Sequence, residues 1–415
     1  MASEVRHLEL AEQGRLKIEW AEVHMPVLKL VRERFKKEKP FKGLTIAMAL
    51  HVEPKTCVLA KTLRDGGANV SITGCNPLTT QDDAAAGLAL EKDIEVICWR
   101  GETKEEYYAN LNKVLDTKPN ITIDDGCDLV YLAHTKRKEM LKDIIGGCEE
   151  TTTGINRLLA MEKEGVLKYP MMDVNDAYTK YMFDNRYGTG QSTIDGILSA
   201  TNLVLAGKAF VICGYGWCGK GVAMRAKGMG CKVIVTEVDE VRALEAAMDS
   251  FEVMPMSEAA KIGDIFVTTT GNKGIIRGEH MKAMKSGAIL ANAGHFDNEI
   301  DKAFLGKYKK RKIRENVEEF AMGGKKLYLL ADGRLVNLVA GQGHPAEIMD
   351  MSFANQALAA EFLVKNKGKL GPKVYKIPEG IDRRIARLKL DSMGIRTDTL
   401  TKEQKKYMSG WEEGT

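Results

Sequence analysis

The stretch VICGYGWCGKG, at residues 211–221, decides the fold of one half of the chain. Its glycines follow the pattern G-x-G-x-x-G at Gly214, Gly216 and Gly219. The apolar run 208–213 predicts a buried strand, and residues 221–229 predict a helix. In such units the glycines allow a tight turn and close approach of a pyrophosphate, which the helix N-terminus attracts. The stretch therefore predicts a dinucleotide-binding unit.

A second apolar run, at residues 231–236, completes this unit and ends at Glu237. A carboxylate at this place accepts a hydrogen bond from the ribose 2′-hydroxyl and repels a 2′-phosphate, so it favours NAD over NADP. The alternative is an ordinary glycine-rich loop in an arbitrary α/β protein. The order of strand, helix, strand and acid favours dinucleotide binding.

The composition is that of an ordinary globular protein, with 44% hydrophobic and 28% charged residues among 415. The 61 basic residues nearly balance the 57 acidic ones, which predicts neither a nucleic-acid nor a membrane partner. No apolar run is long enough to span a bilayer. The eight cysteines form no C-x-x-C pair, so we expect reduced thiols, no metal site and a cytoplasmic location.

The first half of the chain alternates apolar strands with helices, which predicts a second parallel sheet. The predicted strands are residues 44–50, 69–73, 94–99 and 120–123. One helix is predicted over residues 5–38, and a hairpin is predicted to join residues 327–330 to 335–339. The expected fold class is α/β, with two doubly wound, Rossmann-like parallel-sheet domains and a short helical C-terminal tail.

A hinge is predicted near residues 184–190, where Gly188-Thr189-Gly190 interrupts the helical pattern. We therefore expect a substrate-binding domain over residues 1–184, completed by about 341–371, and an NAD-binding domain over 185–340. The tail is residues 372–415.

Polar side chains follow three of the predicted strands, at His51, Asn76 and Asp125. Ligands of doubly wound sheets bind outside the carboxyl ends of strands, so these residues predict a site, although each could be a plain loop residue. Lys180 and Asp184 have i,i+4 spacing, typical of one helix face, and the alternative for them is a surface salt bridge.

Seven stretches together resemble one enzyme family, the NAD-dependent adenosylhomocysteinases or S-adenosyl-L-homocysteine hydrolases. They are CNPLTTQDDAAA, IDDGCDLV, EETTTG, VND…TK…FDNRYGTGQS, GYGWCGKG, ANAGHFDNEID and GRLVNLVAGQGHP. The resemblance runs from about residue 15 to 408. It implies net hydrolysis of a nucleoside thioether: NAD takes hydride from C3′, the ketone acidifies C4′, homocysteine leaves, water adds, and the same NADH reduces the ketone.

By matching motifs, the resemblance implies five catalytic residues, namely His51, Asp125, Lys180, Asp184 and His295. Lys180 takes the 3′-hydroxyl proton, which needs a pKa lowered by burial. Asp125 removes the C4′ proton, and the two histidines serve proton transfer at C5′. The implied substrate-binding residues are Glu53, Lys55, Glu150, Lys180 and Asp184.

The same matching implies the residues that hold one tightly bound NAD per subunit. The nicotinamide half is assigned to Thr151, Thr152, Thr153, Asn185, Asn337 and His344. The adenosine half is assigned to Gly214, Gly216, Trp217, Cys218, Gly219, Lys220, Gly221 and Glu237. The remaining implied contacts are Asn272, Ala293, Gly294 and His295.

Glu53 and Lys55 depart from the adenine-specific branch of the family, which has Thr and then Gln or Glu at these positions. An ionised Glu only accepts and Lys only donates, which fits the N1–H and O6 of hypoxanthine. We therefore expect S-inosyl-L-homocysteine to be favoured, as in the archaeal and thermophilic relatives that this pair resembles. The alternatives are that Glu53 decorates a helix N-terminus while Lys55 reaches solvent, and that the enzyme prefers the adenosyl substrate.

The family resemblance also implies a homo-oligomer, either a tetramer or a dimer. Many relatives continue into a tail whose Lys and Tyr reach the NAD of a neighbouring subunit, and this chain stops before it. Two other classes of function compete with the hydrolase. One is an ordinary dehydrogenase that releases NADH, and the other is a non-catalytic nucleoside-binding regulator.

Overall fold

The structure is a computed structural model that describes residues 3–414. It contains two β-sheets, of seven and eight strands, and each has helices on both faces. The first sheet is entirely parallel, and its strands lie side by side in the order Val374–Lys376, Met171–Asp173, Gly146–Glu149, Ile121–Asp124, Thr45–Ala49, Asn69–Thr73 and Ile94–Val96. The second is mixed, and its order is Lys309–Arg314, Val317–Met322, Lys325–Leu330, Ile289–Asn292, Ile265–Thr268, Ala209–Cys213, Lys232–Thr236 and Glu252–Val253. The predicted α/β class is confirmed.

The first part of the chain builds most of the first sheet. Its strands are β1 (Thr45–Ala49), β2 (Asn69–Thr73), β3 (Ile94–Val96), β4 (Ile121–Asp124), β5 (Gly146–Glu149) and β6 (Met171–Asp173). Its helices are α1 (Ala11–Val23), α2 (Pro26–Glu38), α3 (Pro54–Asp65), α4 (Asp82–Ala89), α5 (Lys104–Asp116), α6 (Asp128–Thr135), α7 (Thr152–Lys163) and α8 (Tyr178–Tyr181).

The second sheet follows a π-helical turn at Asp184–Gly188, which occupies the predicted hinge. Its strands are β7 (Ala209–Cys213), β8 (Lys232–Thr236), β9 (Glu252–Val253), β10 (Ile265–Thr268), β11 (Ile289–Asn292), β12 (Lys309–Arg314), β13 (Val317–Met322) and β14 (Lys325–Leu330). Its helices are α9 (Thr189–Thr201), α10 (Trp217–Gly228), α11 (Glu240–Met248), α12 (Met256–Ile262), α13 (Gly278–Ala283), α14 (Lys302–Leu305) and α15 (Val336–Val339).

The last part of the chain returns to the first sheet. It forms α16 (Ala346–Lys365), β15 (Val374–Lys376), α17 (Glu379–Ser392) and α18 (Lys402–Ser409). Every residue of α16 from Met349 to Glu361 is buried, and the helix packs against α2, α3 and β5. The tail is helical as predicted, except that β15 pairs with β6 at the sheet edge.

Two element predictions are wrong. The helix predicted over residues 5–38 breaks before Pro26, which lacks an N–H, and the N–H groups of Val27 and Leu28 donate to the Asp350 carboxylate. The predicted hairpin is absent because β14 pairs with β13 instead, while residues 336–339 form the short helix α15. None of the helices within residues 3–414 has the length and apolar character needed to cross a membrane.

Candidate active site

A cavity of ≈ 830 Å³ lies between the carboxyl ends of the strands of the two sheets. Both sheets contribute to its wall, since residues after β1, β4 and β5 face residues after β7, β10 and β11. All five residues predicted to be catalytic line it, namely His51, Asp125, Lys180, Asp184 and His295. Residues far apart in sequence thus meet where parallel strands end.

Asp125 stands between two imidazoles from different sheets. His51 Nε2 lies 3.4 Å from Asp125 Oδ2, and His295 Nδ1 lies 3.4 Å from Asp125 Oδ1. Gly126 follows with φ +105°, and a Cβ there would stand 2.3 Å from His295 Nε2. Only glycine therefore lets His295 approach the carboxylate of Asp125.

His51 is held from behind by residues that spacing did not single out. Its Nδ1 lies 2.8 Å from Thr79 Oγ1 and 3.2 Å from Cys75 Sγ. Burial lowers the pKa of His51 to about 4, despite the neighbouring Asp125. The imidazole is consequently neutral near neutral pH and can exchange a proton through Nε2. Asn76, the third strand-end residue predicted for a site, instead accepts the N–H of Leu78 and lies outside the cavity wall.

A second cluster gathers around the Lys180 ammonium, which is buried rather than paired at the surface. Lys180 Nζ donates to Asn185 Oδ1 at 2.8 Å and lies 3.6 Å from Glu150 Oε1 and 3.7 Å from Asp184 Oδ1. Burial alone would lower the pKa of Lys180, but the charges of Asp184, Glu150 and Asp125 outweigh it and raise the pKa. The expected lowering is wrong for this structure.

The acids of this cluster have different partners. Asp184 accepts from Ser352 Oγ at 2.7 Å and lies 2.9 Å from His344 Nδ1. Burial opposes ionisation of Asp184, yet Lys180 and His344 hold its pKa below its usual range. Glu150 accepts from Gln356 Nε2 at 2.5 Å, while its Oε1 is buried without a hydrogen-bond partner in residues 3–414. Burial raises the pKa of Glu150 to about 8.

Glu53 lines the cavity, whereas Lys55 lies behind it. Both side chains are buried and ion-paired, and Lys55 Nζ also donates to the carbonyl of Gln342 at 3.0 Å. Glu53 caps α3 by accepting the N–H of Lys55, so it does decorate a helix N-terminus. The alternative that Lys55 reaches solvent is wrong.

Most residues assigned to the cofactor line the same cavity. They are Thr151, Thr152, Thr153, Asn185, Gly214, Gly216, Trp217, Cys218, Glu237, Asn272, Ala293, Gly294, His295, Asn337 and His344. The other three lie behind the glycine-rich turn. A Cβ on Gly219 would meet the Gly214 carbonyl, one on Gly221 would meet the Arg186 carbonyl, and Lys220 Nζ lies 2.6 Å from Glu245 Oε1.

Several features of this half of the cavity fit a dinucleotide. Gly214 has φ +98°, and a Cβ on Gly216 would meet only Arg242 Nη1, at 3.7 Å, so the turn is open to a pyrophosphate. The Glu237 carboxylate accepts the N–H groups of Tyr215 and Val238 and faces the cavity. Asn337 Oδ1 is buried without a hydrogen-bond partner among the described residues, and it suits the amide N–H of a nicotinamide.

Sequence reasoning missed part of the wall. The missed lining residues include Thr56, Arg242, Met256, Thr270, Arg277 and Phe353. Arg242 belongs to the exposed face of α11, and Phe353 belongs to the buried stretch Met349–Glu361 of α16, so neither had a strand-end signal. Both positions depend on where a helix packs in the folded chain.

The fold and cavity define an NAD-dependent enzyme with two facing sheets, and comparisons with known proteins specify its family. Residues 2–142 match the sequence model of S-adenosyl-L-homocysteine hydrolase, and residues 185–343 match the model of its NAD-binding domain. The chain belongs to the S-adenosyl-L-homocysteine hydrolase family, and its cofactor is NAD.

Similar proteins include two S-inosyl-L-homocysteine hydrolases. The one from Methanocaldococcus jannaschii is 66% identical over 99% of this chain and 100% of its own length. The one from Methanococcus maripaludis is 62% identical over 100% of both chains. An adenosylhomocysteinase from Saccharolobus solfataricus is 59% identical, again over 100% of both.

Proposed function

We propose that this protein reversibly hydrolyses the thioether of S-inosyl-L-homocysteine to inosine and L-homocysteine, and that it accepts S-adenosyl-L-homocysteine less well. The observation that carries the proposal is Glu53, which lines a cavity that also holds the Asp125 and Lys180 clusters and is ion-paired with the buried Lys55 behind it. The names of the most similar relatives support both the reaction and the inosyl substrate.

The two clusters divide the chemistry between the ribose carbons. Glu150 Oε1, which has no hydrogen-bond partner among the described residues, accepts from a ribose hydroxyl, and Lys180 and Asp184 hold the 3′-oxygen and move its proton. Asp125 takes the C4′ proton. His51 and His295, one on each side of Asp125, deliver a proton to the leaving sulfur and take one from the incoming water.

NAD supplies a reversible hydride acceptor at C3′ when bound. Gly214, Gly216 and Glu237 hold its adenosine half, and Thr151–153 with Asn337 hold the nicotinamide half. The remaining lining residues assigned to the cofactor complete this site. Gly219, Lys220 and Gly221 act from behind: Gly219 lets α10 approach the Gly214 carbonyl, Gly221 lets it approach the Arg186 carbonyl, and Lys220 pairs with Glu245 of α11.

We also propose that residues 1–184, completed by about 341–371, bind substrate, that residues 185–340 bind NAD, and that residues 372–415 form the tail. The separation of the two sheets along the chain supports this division, with β15 of the tail joining the first sheet. We infer a cytoplasmic homo-oligomer, a dimer or a tetramer. Large exposed apolar side chains outside the cavity support an interface, with Trp411 90% and Trp20 68% exposed.

The test is homocysteine release from the inosyl and adenosyl substrates side by side, detected with a thiol reagent. We expect the inosyl substrate to have the higher kcat/KM, by about 10–100-fold, because unpaired buried polar groups cost about 1–3 kcal/mol each. Faster release from the adenosyl substrate would overturn only the proposed preference for the inosyl substrate and would leave the reaction unchanged. Net NADH without thiol would indicate a dehydrogenase, and neither product would indicate a nucleoside-binding regulator.

A further inference from the structure

Two neighbouring strands of the first sheet each end in a pair of acids. Asp124 of β4 pairs in register with Glu149 of β5, and each is followed by a second acid, Asp125 or Glu150. The outer acids, Asp125 and Glu150, line the cavity. The inner acids, Asp124 and Glu149, are 0% exposed and face away from it, as alternation along a strand requires.

One side-chain oxygen of Glu149 contacts the backbone next to Asp125 and also the backbone next to Glu150. Glu149 Oε1 accepts the N–H of Gly126 at 2.8 Å and the N–H of Thr151 at 3.0 Å. Gly126 directly follows Asp125, and Thr151 directly follows Glu150. A single acceptor therefore joins the two loops that carry the cavity's carboxylates, while Asp124 Oδ1 accepts the N–H of Asp125 at 2.9 Å.

The chain makes room for this carboxyl group at Gly154. A Cβ at Gly154 would lie 2.1 Å from Cδ of Glu149 and 2.3 and 2.5 Å from its two oxygens. Such distances cannot be met without moving the carboxyl group. Glycine is thus required at residue 154 although its φ is not positive, because the requirement comes from the Glu149 side chain.

We propose that Glu149 is a positioning residue that fixes the separation of Asp125 and Glu150. It thereby fixes the placement of ribose C4′ against Asp125, the carboxylate that takes the C4′ proton. The inference rests on the proposed function, because Asp125 and Glu150 act on the ribose there. Burial and the nearby Asp124 and Asp125 raise the pKa of Glu149. Glutamine is its closest mimic, because it keeps the shape and a side-chain oxygen that can accept from both N–H groups.

The experiment compares Glu149→Gln, Glu149→Ala and Gly154→Ala with wild type in the thiol-release assay, each as holoenzyme. We expect Glu149→Ala and Gly154→Ala to lose about 100-fold in kcat, the typical effect of an approximately 1 Å misplacement. Glu149→Gln keeps an acceptor for both N–H groups and should stay within about threefold of wild type.

The matched control is Glu102→Ala. Glu102 is another buried acid and lies between β3 and α5. Its Oε1 accepts hydrogen bonds from the N–H of Trp99 at 3.2 Å and from Asn110 Nδ2 at 2.9 Å. It does not line the cavity. Its loss should lower Tm much as Glu149→Ala does, since both leave buried donors unpaired, but should leave kcat unchanged below Tm.

Equal kcat values for Glu149→Ala and Glu102→Ala would overturn the inference, as would a Glu149→Gln variant no better than Glu149→Ala. Should Gly154→Ala fail to fold, the Glu149 and Glu102 variants decide the matter alone. Wild-type protein that releases no thiol would refute the proposed function instead, so the two failures are distinguishable.

Discussion

Lys180 Nζ lies 3.7 Å from Asp184 Oδ1, and both side chains are buried. This pairing overrides the effect of burial on Lys180, whose pKa rises because the surrounding carboxylates favour the ammonium form. Lys180 therefore carries its proton in this structure. It can take the 3′-hydroxyl proton only after losing its own, so the acidic limb of the pH–rate profile reports this lysine.

Replacing Asp184 with Asn should lower the pKa of Lys180, because it removes the carboxylate whose charge raises that pKa most, 3.7 Å from the ammonium. An opposite charge at this range shifts a pKa by about 1–3 units, so the acidic limb of kcat/KM should move to lower pH by about that amount. The measurement is thiol release from about pH 6 to 10. Asp116→Asn, which removes an exposed carboxylate paired with Arg137, is the control. An unmoved limb would exclude Lys180 as the titrating group.

The double replacement Glu53→Thr with Lys55→Gln should invert the base preference. It removes the acid that lines the cavity together with its buried ion-pair partner, and the ratio of kcat/KM for inosyl over adenosyl substrate should fall by about 10–100-fold. The single Lys55→Gln variant should instead lose about 3–5 kcal/mol of stability, because it leaves the Glu53 carboxylate buried and unpaired.

Lys61→Gln is the matched control for the base preference. Lys61 lies on the same helix α3 but pairs with Glu22 and Glu91 outside the cavity. Its replacement should leave the substrate ratio as in wild type. A double variant with the wild-type ratio would return Glu53 and Lys55 to a purely structural role at the start of α3.

Gly126→Ala should slow turnover by about 100-fold, because a methyl group there would push His295 away from Asp125. It also strains a residue with φ +105°. Gly43→Ala separates the two effects, since Gly43 has φ +78° with no atom within 4 Å of its Cβ position. That control should lower Tm and keep kcat. Similar kcat in both variants would show that His295 tolerates the displacement.

Glu102 should make stability depend on pH. Burial raises its pKa to about 7 from an ordinary 4.5, so between these values the folded protein binds more protons than the unfolded chain. Stability from this group is therefore present at low pH and lost as pH rises through 7. Glu102→Gln should remove the loss, and its unfolding free energy relative to wild type should rise by about 3 kcal/mol from pH 4.5 to 8.

Urea unfolding at several pH values measures this effect. Glu105→Gln removes an exposed charge from the first turn of α5, three residues after Glu102, and serves as the control. A pH-independent difference between Glu102→Gln and wild type would contradict a raised pKa for Glu102.

The alternation of apolar strands and helices was sufficient to predict the α/β class and most of the first sheet. It missed β5 because Gly146 and Gly147 hide the pattern, although both must be small: a Cβ on Gly147 would stand 2.3 Å from Thr122 Oγ1. It also missed β12, whose six residues KKRKIR are all exposed and carry no apolar period.

The proposed catalytic residues could be named from motifs, but their charge states could not. The raised pKa of Lys180 depends on carboxylates from β4, β5 and the π-helical turn, whose distances only the folded chain sets. The role of Lys55 was likewise open, since nothing local in the sequence indicates its bond to the Gln342 carbonyl. Long-range contacts of this kind are what spacing along a chain does not encode.

Helix α16 has a consequence for biosynthesis. It supplies Ser352 to Asp184, Gln356 to Glu150 and Asp350 to the start of α2, all in the part of the chain before the second sheet. A ribosome must therefore release the chain as far as α16 before that part can close around its acids. Until then the first sheet lacks α16 and β15, and the second sheet, whose strands β7–β14 need no later segment, can finish folding first.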